Sequence, residues 1–361
     1  MQPFGRRYFQ SERPSRLFTF AGEWRSGCLA QAEKRRARPG FDDGSELPEE
    51  KPEVIELDRL RAFFREPPRD FLQQRLDLQL DPAGSRLNDN EPLLLDGLAG
   101  WALRADLLAE AAESPDREIP RQPSRLWQRR GVLPPPPLDV SAWQTQVEAL
   151  EPLLPIQRAW RALEPLPFEI DLQLDDGTRL TGRLGDVRLG GVFRLRAGSL
   201  APKHVLADWL DYLALRASGG AGSLELAGIS KGALQRWRAE ASAAEARVAL
   251  GPLLAWFRAG SLRPLAFLPE LAFLYLEERA KLTINGESDE VAARGALEKL
   301  NGLLDPDAYQ RHRALQNPYF AIVMDPRLRL GEAPESSEFC RMADEVCGLL
   351  HARLADVEEE A

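Results

Sequence analysis

The spacing of apolar residues changes character along the chain. Across residues 56–80, ELDRLRAFFREPPRDFLQQRLDLQL, Leu57, Leu60 and Phe64 share one helical stripe, and Phe71, Leu72 and Leu76 resume it past Pro67-Pro68. Proline disfavours the helical conformation in the residue before it, so the pattern predicts two short helices meeting at the prolines. Residues 92–114 read as another helix, and LDVSAWQTQVEALEPLL as one more after the stiff spacer 134–137. The period then becomes two. In FEIDLQLDDGTRLTGRL, Phe168, Ile170, Leu172 and Leu174 alternate with Glu169, Asp171 and Gln173, and Asp175-Asp176-Gly177 marks a hairpin. Leu180, Gly182 and Leu184 share one side of the return strand, and Leu189-Gly190-Gly191 turns into VFRLR. Three antiparallel strands in a meander are expected.

A helix should follow, with Ser199 as N-cap, Pro202 in its first turn, a stripe of Leu206, Trp209, Leu210 and Leu213, and Gly219-Gly220 as its stop. SLELAG, residues 223–228, reads as a short strand. Helices are expected at about 232–259, 271–281, 289–303 and 335–356. The class is α+β, or α/β nuclease-like, with a core meander at about 166–230 inside a largely helical domain at 54–361. Residues 1–53 form an N-terminal extension and linker. Residues 1–32 carry Phe4, Tyr8, Phe9, Phe18, Phe20 and Trp24 without a periodic element, and 33–53 are charged and Pro/Gly-containing.

Composition narrows the function. The chain has 361 residues, 44% of them hydrophobic, enough for a sizeable core. A net charge of −9 means that any contact with nucleic acid is a local patch or is shared with a partner. Cys28, Cys340 and Cys347 form no CxxC pair, which fits a reducing, cytoplasmic setting. The most apolar stretch, PLAFLPELAFLYL, is shorter than the roughly 20 residues of a spanning helix and reads as core, so no membrane is expected. No GxxxxGK[ST] loop is present, so the chain itself is not expected to hydrolyse ATP. Cys347 and His351, with Cys340 on the same helix face, could chelate zinc but lack two further ligands, so the cysteines read as core. His204, just inside a helix start, reads as a surface residue or a phosphate contact. His312 carries no assigned role.

Helix, three-strand meander, helix, strand is the core order of the PD-(D/E)xK nuclease fold, whose carboxylates hold a divalent metal. That resemblance places the first aspartate at Gly185, in GRLG, and the acid and lysine of the third strand at Arg194 and Arg196. None of the three is a carboxylate. Arg179, Arg183, Arg188, Arg194, Arg196 and Lys203 then face a single nearby acid, Asp186, and read either as a solvated strand face or as a contact for DNA or a partner. Asp208 stands where such nucleases often place a glutamine, and here it balances a neighbouring arginine.

QPFGRRYF, LFTFAGEW, DNEPLLLDGLAGWALRADLL, LWQRRGVLP, LTGRLGDVRLGGVFRLR, WLDYLALRASGG and LRPLAFLPE, in that order, resemble the C-terminal region of the RecC family up to about residue 325. RecC is the gamma subunit of exodeoxyribonuclease V, the RecBCD helicase–nuclease. The resemblance implies an inactive nuclease-like domain with no catalytic residue, metal or cofactor of its own, ATP and Mg acting on partner subunits. It implies RecB-like and RecD-like partners, and contact with double-stranded DNA ends and single-stranded DNA during double-strand break repair and recombination. Residues 1–53 would be the seam to a helicase-like part that this sequence does not match, so hotspot recognition is not carried over. Two other readings stay open. One is an active metal-dependent nuclease using Asp186, Asp171 or Glu169. The other is a standalone scaffold, whether fragment, split-gene product or independent protein.

Overall fold

The helix of residues Pro202–Ala217, α7 in the numbering below, organises the fold because almost every position of VLADWLDYLAL is buried. A helix that is apolar nearly all round belongs inside a core, not on a surface. The computed structural model describes residues 46–48, 53–80, 93–114, 118–174, 176–305, 312–324 and 330–357, all within the unit Glu46–Ala361. The aromatic-rich segment 1–32, Cys28, most of the linker at 33–53 and the acidic tail lie outside them.

Chain order begins with the short strand β1 (Val54–Glu56), followed at once by α1 (Leu57–Arg65) and α2 (Pro67–Gln74), which meet at Pro67-Pro68 as the sequence predicts. Next come α3 (Gly97–Glu113), α4 (Arg125–Arg129), α5 (Leu138–Leu150) and α6 (Leu153–Ala162). The strands β2 (Phe168–Gln173) and β3 (Arg179–Leu184) form the expected hairpin, with Phe168 opposite Leu184 and Gln173 opposite Arg179. At its tip the Asp176 carboxylate accepts the Thr178 amide at 2.9 Å, and Gly177 takes the positive φ of +87° that the turn requires.

The expected three-strand meander is divided. β1 pairs in parallel with β3, making a three-stranded sheet of order β1-β3-β2. The chain leaves this sheet at Gly185-Asp186 and starts a second one with β4 (Val187–Arg188) and β5 (Gly191–Leu195). There β5 pairs in parallel with β6 (Ser223–Ser230), which pairs with β7 (Ala233–Ala239) and then β8 (Ala355–Asp356), in the order β4-β5-β6-β7-β8. Helix α7 packs against α1 and against β2, β5 and β6, so it ties the two sheets together.

Two further expectations are corrected. Residues 233–239, ALQRWRA, are rich in helix formers and fall inside the helix expected at 232–259, yet they form β7. Lys231 (φ 51°) and Gly232 (φ 81°) adopt the paired positive dihedrals of a tight hairpin, and the ladder to β6 overrides local propensity. The helix α8 (Ala243–Leu262) starts only after it, closed by a Ser242/Glu245 capping box. The N-cap of α7 is Ala201 instead of Ser199, with Pro202 at the first helical position.

The remaining helices, α9 (Pro269–Ile284), α10 (Asp289–Leu303), α11 (Pro318–Val323), α12 (Glu338–Ala343) and α13 (Leu349–Arg353), complete the helical layer. A π-helical turn, Asp344–Gly348, separates the last two. Leu265, Phe267, Leu271, Phe273 and Leu276 of PLAFLPELAFLYL are buried, as are Cys340 and Cys347, so the reading of these residues as core holds. A second apolar cluster, with Trp127 against Trp143 and Leu103, Leu107, Leu150 and Leu153, lies between α3–α6 and Ala227 and Ile229 of β6.

The start of the β5–β6 ladder rests on two glycines. A Cβ on Gly191 (φ +134°) would lie 2.0 Å from the Ser223 carbonyl oxygen, and one on Gly222 (φ +101°) 2.1 Å from that of Gly190. Gly185 has nothing within 4 Å of the equivalent position. Gly191→Ala is therefore expected to cost about 3 kcal/mol or more, and Gly185→Ala less than about 0.5 kcal/mol. Urea unfolding midpoints at constant slope check the pair.

Candidate functional site

A helix as buried as α7 should carry no charge, yet Asp208 and Asp211, one turn apart, are 4% and 1% exposed. Three arginines compensate them. The Asp211 carboxylate accepts Arg61 Nη1 of α1 at 2.7 and 2.8 Å and Arg194 Nη2 of β5 at 3.0 Å. The Asp208 carboxylate accepts Arg196 Nη2 at 2.6 Å and stands 3.4 Å from Arg194 Nε. The exposed Asp186, at the crossing between the sheets, reaches Arg194 Nη1 at 3.6 Å, and Asp58 pairs with Arg61. The Arg194 guanidinium thus lies among three aspartates and ties β5, α7 and the crossing together. Burial pushes the Asp208 and Asp211 carboxyls upward from the usual carboxylate range, and the arginines oppose it.

Beside this seam opens a cleft of about 830 Å³. One wall is apolar, formed by Trp101, Ala105 and Leu108 of α3. Its lining also carries Arg65 at the end of α1, Arg196, Lys203 and His204 at the start of α7, and His312 and Arg313. The carboxylates on its lining are Glu66 and Glu270, and Glu66 accepts Asn317 Nδ2 at 2.6 Å. Burial first, and then the neighbouring Arg196, Arg65 and Lys203, lower His204 to about 4. His312 Nδ1 accepts the Ala314 amide at 3.2 Å and starts a short 3₁₀ turn.

Comparison with known proteins places these residues in a family. The model of the RecC C-terminal domain matches residues 52–280. RecBCD enzyme subunit RecC of Escherichia coli is 30% identical over 273 residues, 74% of this chain and 23% of that protein. The chain belongs to the RecC family. The RecC subunits of Mycolicibacterium smegmatis and Mycobacterium tuberculosis are 28% and 30% identical over 60% of the chain, and 20% of each of them is covered. The chain therefore spans about a quarter or less of the length of these curated RecC relatives. The family match ends before the resemblance drawn to about residue 325 and begins after its first motifs.

Within this RecC domain the six cations expected as one surface facing Asp186 are divided, and several acids face them. Arg179 chelates Asp171 at 2.6 Å through two nitrogens, and Arg183 lies 3.3 Å from Glu169, both across the β2–β3 ladder. Arg188 donates to the Leu163 carbonyl at 2.9 Å. Arg194 is in the buried seam. Only Arg196 and Lys203 of the six line the cleft.

A metal site does not fit these residues. Glu169 and Asp171 are held by separate arginines, a guanidinium occupies the space among Asp186, Asp208 and Asp211, and Gly185 offers no ligand. No group of three His, Cys, Asp or Glu able to hold a metal occurs among the described residues.

Reading the sequence assigned Asp208 its balancing role. It missed Asp211 and Arg61, although a second aspartate inside VLADWLDYLAL was a signal that a buried cation faces this helix. It also missed Arg65, Trp101 and Arg313, which only the tertiary fold brings to the cleft.

Arg194→Met keeps the volume and removes the charge. It is expected to cost about 3 kcal/mol, because two buried carboxylates lose a shared partner. Arg183→Met on the exposed ladder should cost less than about 1 kcal/mol. In Arg194→Met the carboxyls titrate still higher when folded than when unfolded. The folded state then binds more protons, and its deficit shrinks as pH falls from 7 toward 4. Denaturant unfolding at several pH values measures both effects.

Proposed function

We propose that this chain is a non-catalytic DNA-binding and scaffold part of a RecBCD-type helicase–nuclease acting in double-strand break repair and recombination. On this reading it docks a RecB-like subunit and the duplex end, near a RecD-like subunit, and ATP and Mg work on those partners. The observation that carries it is Arg194. Where the nuclease resemblance places a metal-binding acid, this chain has a guanidinium held by three aspartates. A cation fixed there supplies the charge balance that a divalent metal gives an active enzyme, and leaves no position for an activated water. The surrounding strands and helices then serve as a docking body. The relatives' own description as RecBCD enzyme subunits supports the partner assignment.

No helix among the described residues is long and apolar enough to cross a membrane, in keeping with the cytoplasmic setting proposed here. The active-nuclease alternative lacks support from the geometry, because its acids are each taken by an arginine.

Affinity capture of the host's RecB homologue by this chain, with and without a blunt duplex end, tests the proposal alongside a cleavage assay in Mg²⁺. Stable capture without metal-dependent cleavage is expected. Cleavage that disappears in Asp186→Asn, or no capture by a chain that unfolds cooperatively, would contradict it.

A further inference from the structure

Strand β2 stands at the open end of the β1-β3-β2 sheet. Hydrogen bonds between antiparallel strands fall on alternate residues. The Leu174 amide donates to the Thr178 carbonyl at 2.9 Å, and Leu172, Ile170 and Phe168 follow it in register, opposite Leu180, Gly182 and Leu184. These residues spend their main chain on β3. The other residues of β3 turn toward β1, beginning with the Arg179 amide, which donates to the Glu53 carbonyl at 2.9 Å. By the same alternation Glu169, Asp171 and Gln173 aim their N–H and C=O groups out of the sheet. Among the described residues no main-chain hydrogen bond reaches them.

Folded proteins guard such edges with a proline, a bulge, a covering element or an unpaired charge, because an open edge accepts another strand. Pro165 guards the run just before β2, where it bridges to Arg188. Residues 168–173 hold no proline, and their unbroken register with β3 leaves no bulge. Charge does not close the edge either. Asp171 is chelated by Arg179, and Glu169 lies 3.3 Å from Arg183, so neither acid stands uncompensated. Both side chains remain largely exposed, and a carboxylate held by one guanidinium still has lone pairs for another donor. The strand itself carries two acids and no base. On its other face Phe168 is only half-buried and Leu166, just before it, is 40% exposed, an apolar footing without cover.

We propose that β2 is a strand-addition site, at which an extended protein segment of alternating basic and apolar residues pairs along Phe168–Gln173. The main chains of Glu169, Asp171 and Gln173 supply the affinity, and the alternating side chains supply the selection. The segment's basic side chains lie beside Glu169 and Asp171 on the exposed face, and its apolar ones lie against Phe168 and Leu166. A second copy of this chain fits the edge less well, because antiparallel pairing of β2 with itself sets acid against acid, and like charges directly opposite are destabilising. The inference stands on the geometry of this edge and depends neither on the nuclease resemblance nor on the partner assignment above.

The test uses the full chain and a fluorescein-labelled peptide of about seven residues alternating lysine and valine, followed by anisotropy. N-methylation of one alternate set of its amides should abolish binding, while methylation of the other set is tolerated. The sensitive set is the lysine amides if the peptide adds antiparallel and the valine amides if it adds parallel. Alternating glutamate and valine should bind at least about tenfold more weakly. On the chain, Asp171→Pro removes one outward N–H and no bond of the β2–β3 ladder, and should weaken binding about tenfold, the equivalent of one or two main-chain hydrogen bonds. Asp171→Asn keeps the main chain and should lose less. Amide exchange of the unaltered chain gives a readout free of any folding defect. The amides of Glu169, Asp171 and Gln173 should exchange faster than those of Ile170 and Leu172, and the peptide should slow those three at least about tenfold. Equal effects of the two methylated sets, or binding that leaves these amides unprotected, would overturn the proposal. Protection that grows with chain concentration in the absence of peptide would assign the edge to a second copy and also overturn it.

Discussion

Two aspartates on the inner face of a fully packed helix set the terms for the rest of this structure. Left alone, either carboxylate would be neutralised or would force the helix outward. Asp208 and Asp211 stay inside because Arg61, Arg194 and Arg196 arrive from α1, β5 and the segment after β5. Each arginine therefore fixes an element against α7 as well as compensating a charge. The pairing specifies how the two sheets meet, a role that a wholly apolar seam would leave to shape alone. Its net contribution to stability is modest, since desolvation offsets much of the attraction, but removing one partner exposes the full cost.

The same arrangement bears on chemistry. Asp186, Asp208 and Asp211 converge, as the acids of a metal enzyme would, but they converge on a guanidinium. A delocalised, permanently charged group with directional donors satisfies them without an ion and leaves nothing to polarise water. Arg196 links this closed centre to the open cleft, with one nitrogen committed and another without an acceptor.

Much of this was legible in the residues. Periodicity located both hairpin strands at 168–184, the proline-broken helices at 57–74 and the apolar stripe of α7. The division of the sheets was not legible, because β1 is three residues long and its parallel pairing with β3 joins positions more than 120 apart in sequence. β7 was misread because Ala, Leu, Gln and Arg favour helices when isolated, and only the Lys231-Gly232 turn and the β6 ladder make them a strand. That Gly185, Arg194 and Arg196 are not carboxylates could be read from the residues. The counter-charges could not, since Asp211 and Arg61 lie 150 positions apart.

A double-mutant cycle on Arg194→Met and Asp211→Asn, read by urea unfolding, tests the central claim most directly. If the arginine stands in for a metal as the shared counter-ion of the buried carboxylates, the double variant should be less destabilised than the sum of the singles by about 1 kcal/mol or more. Additivity within about 0.5 kcal/mol would show that the two residues pack side by side without depending on each other, and would contradict the account.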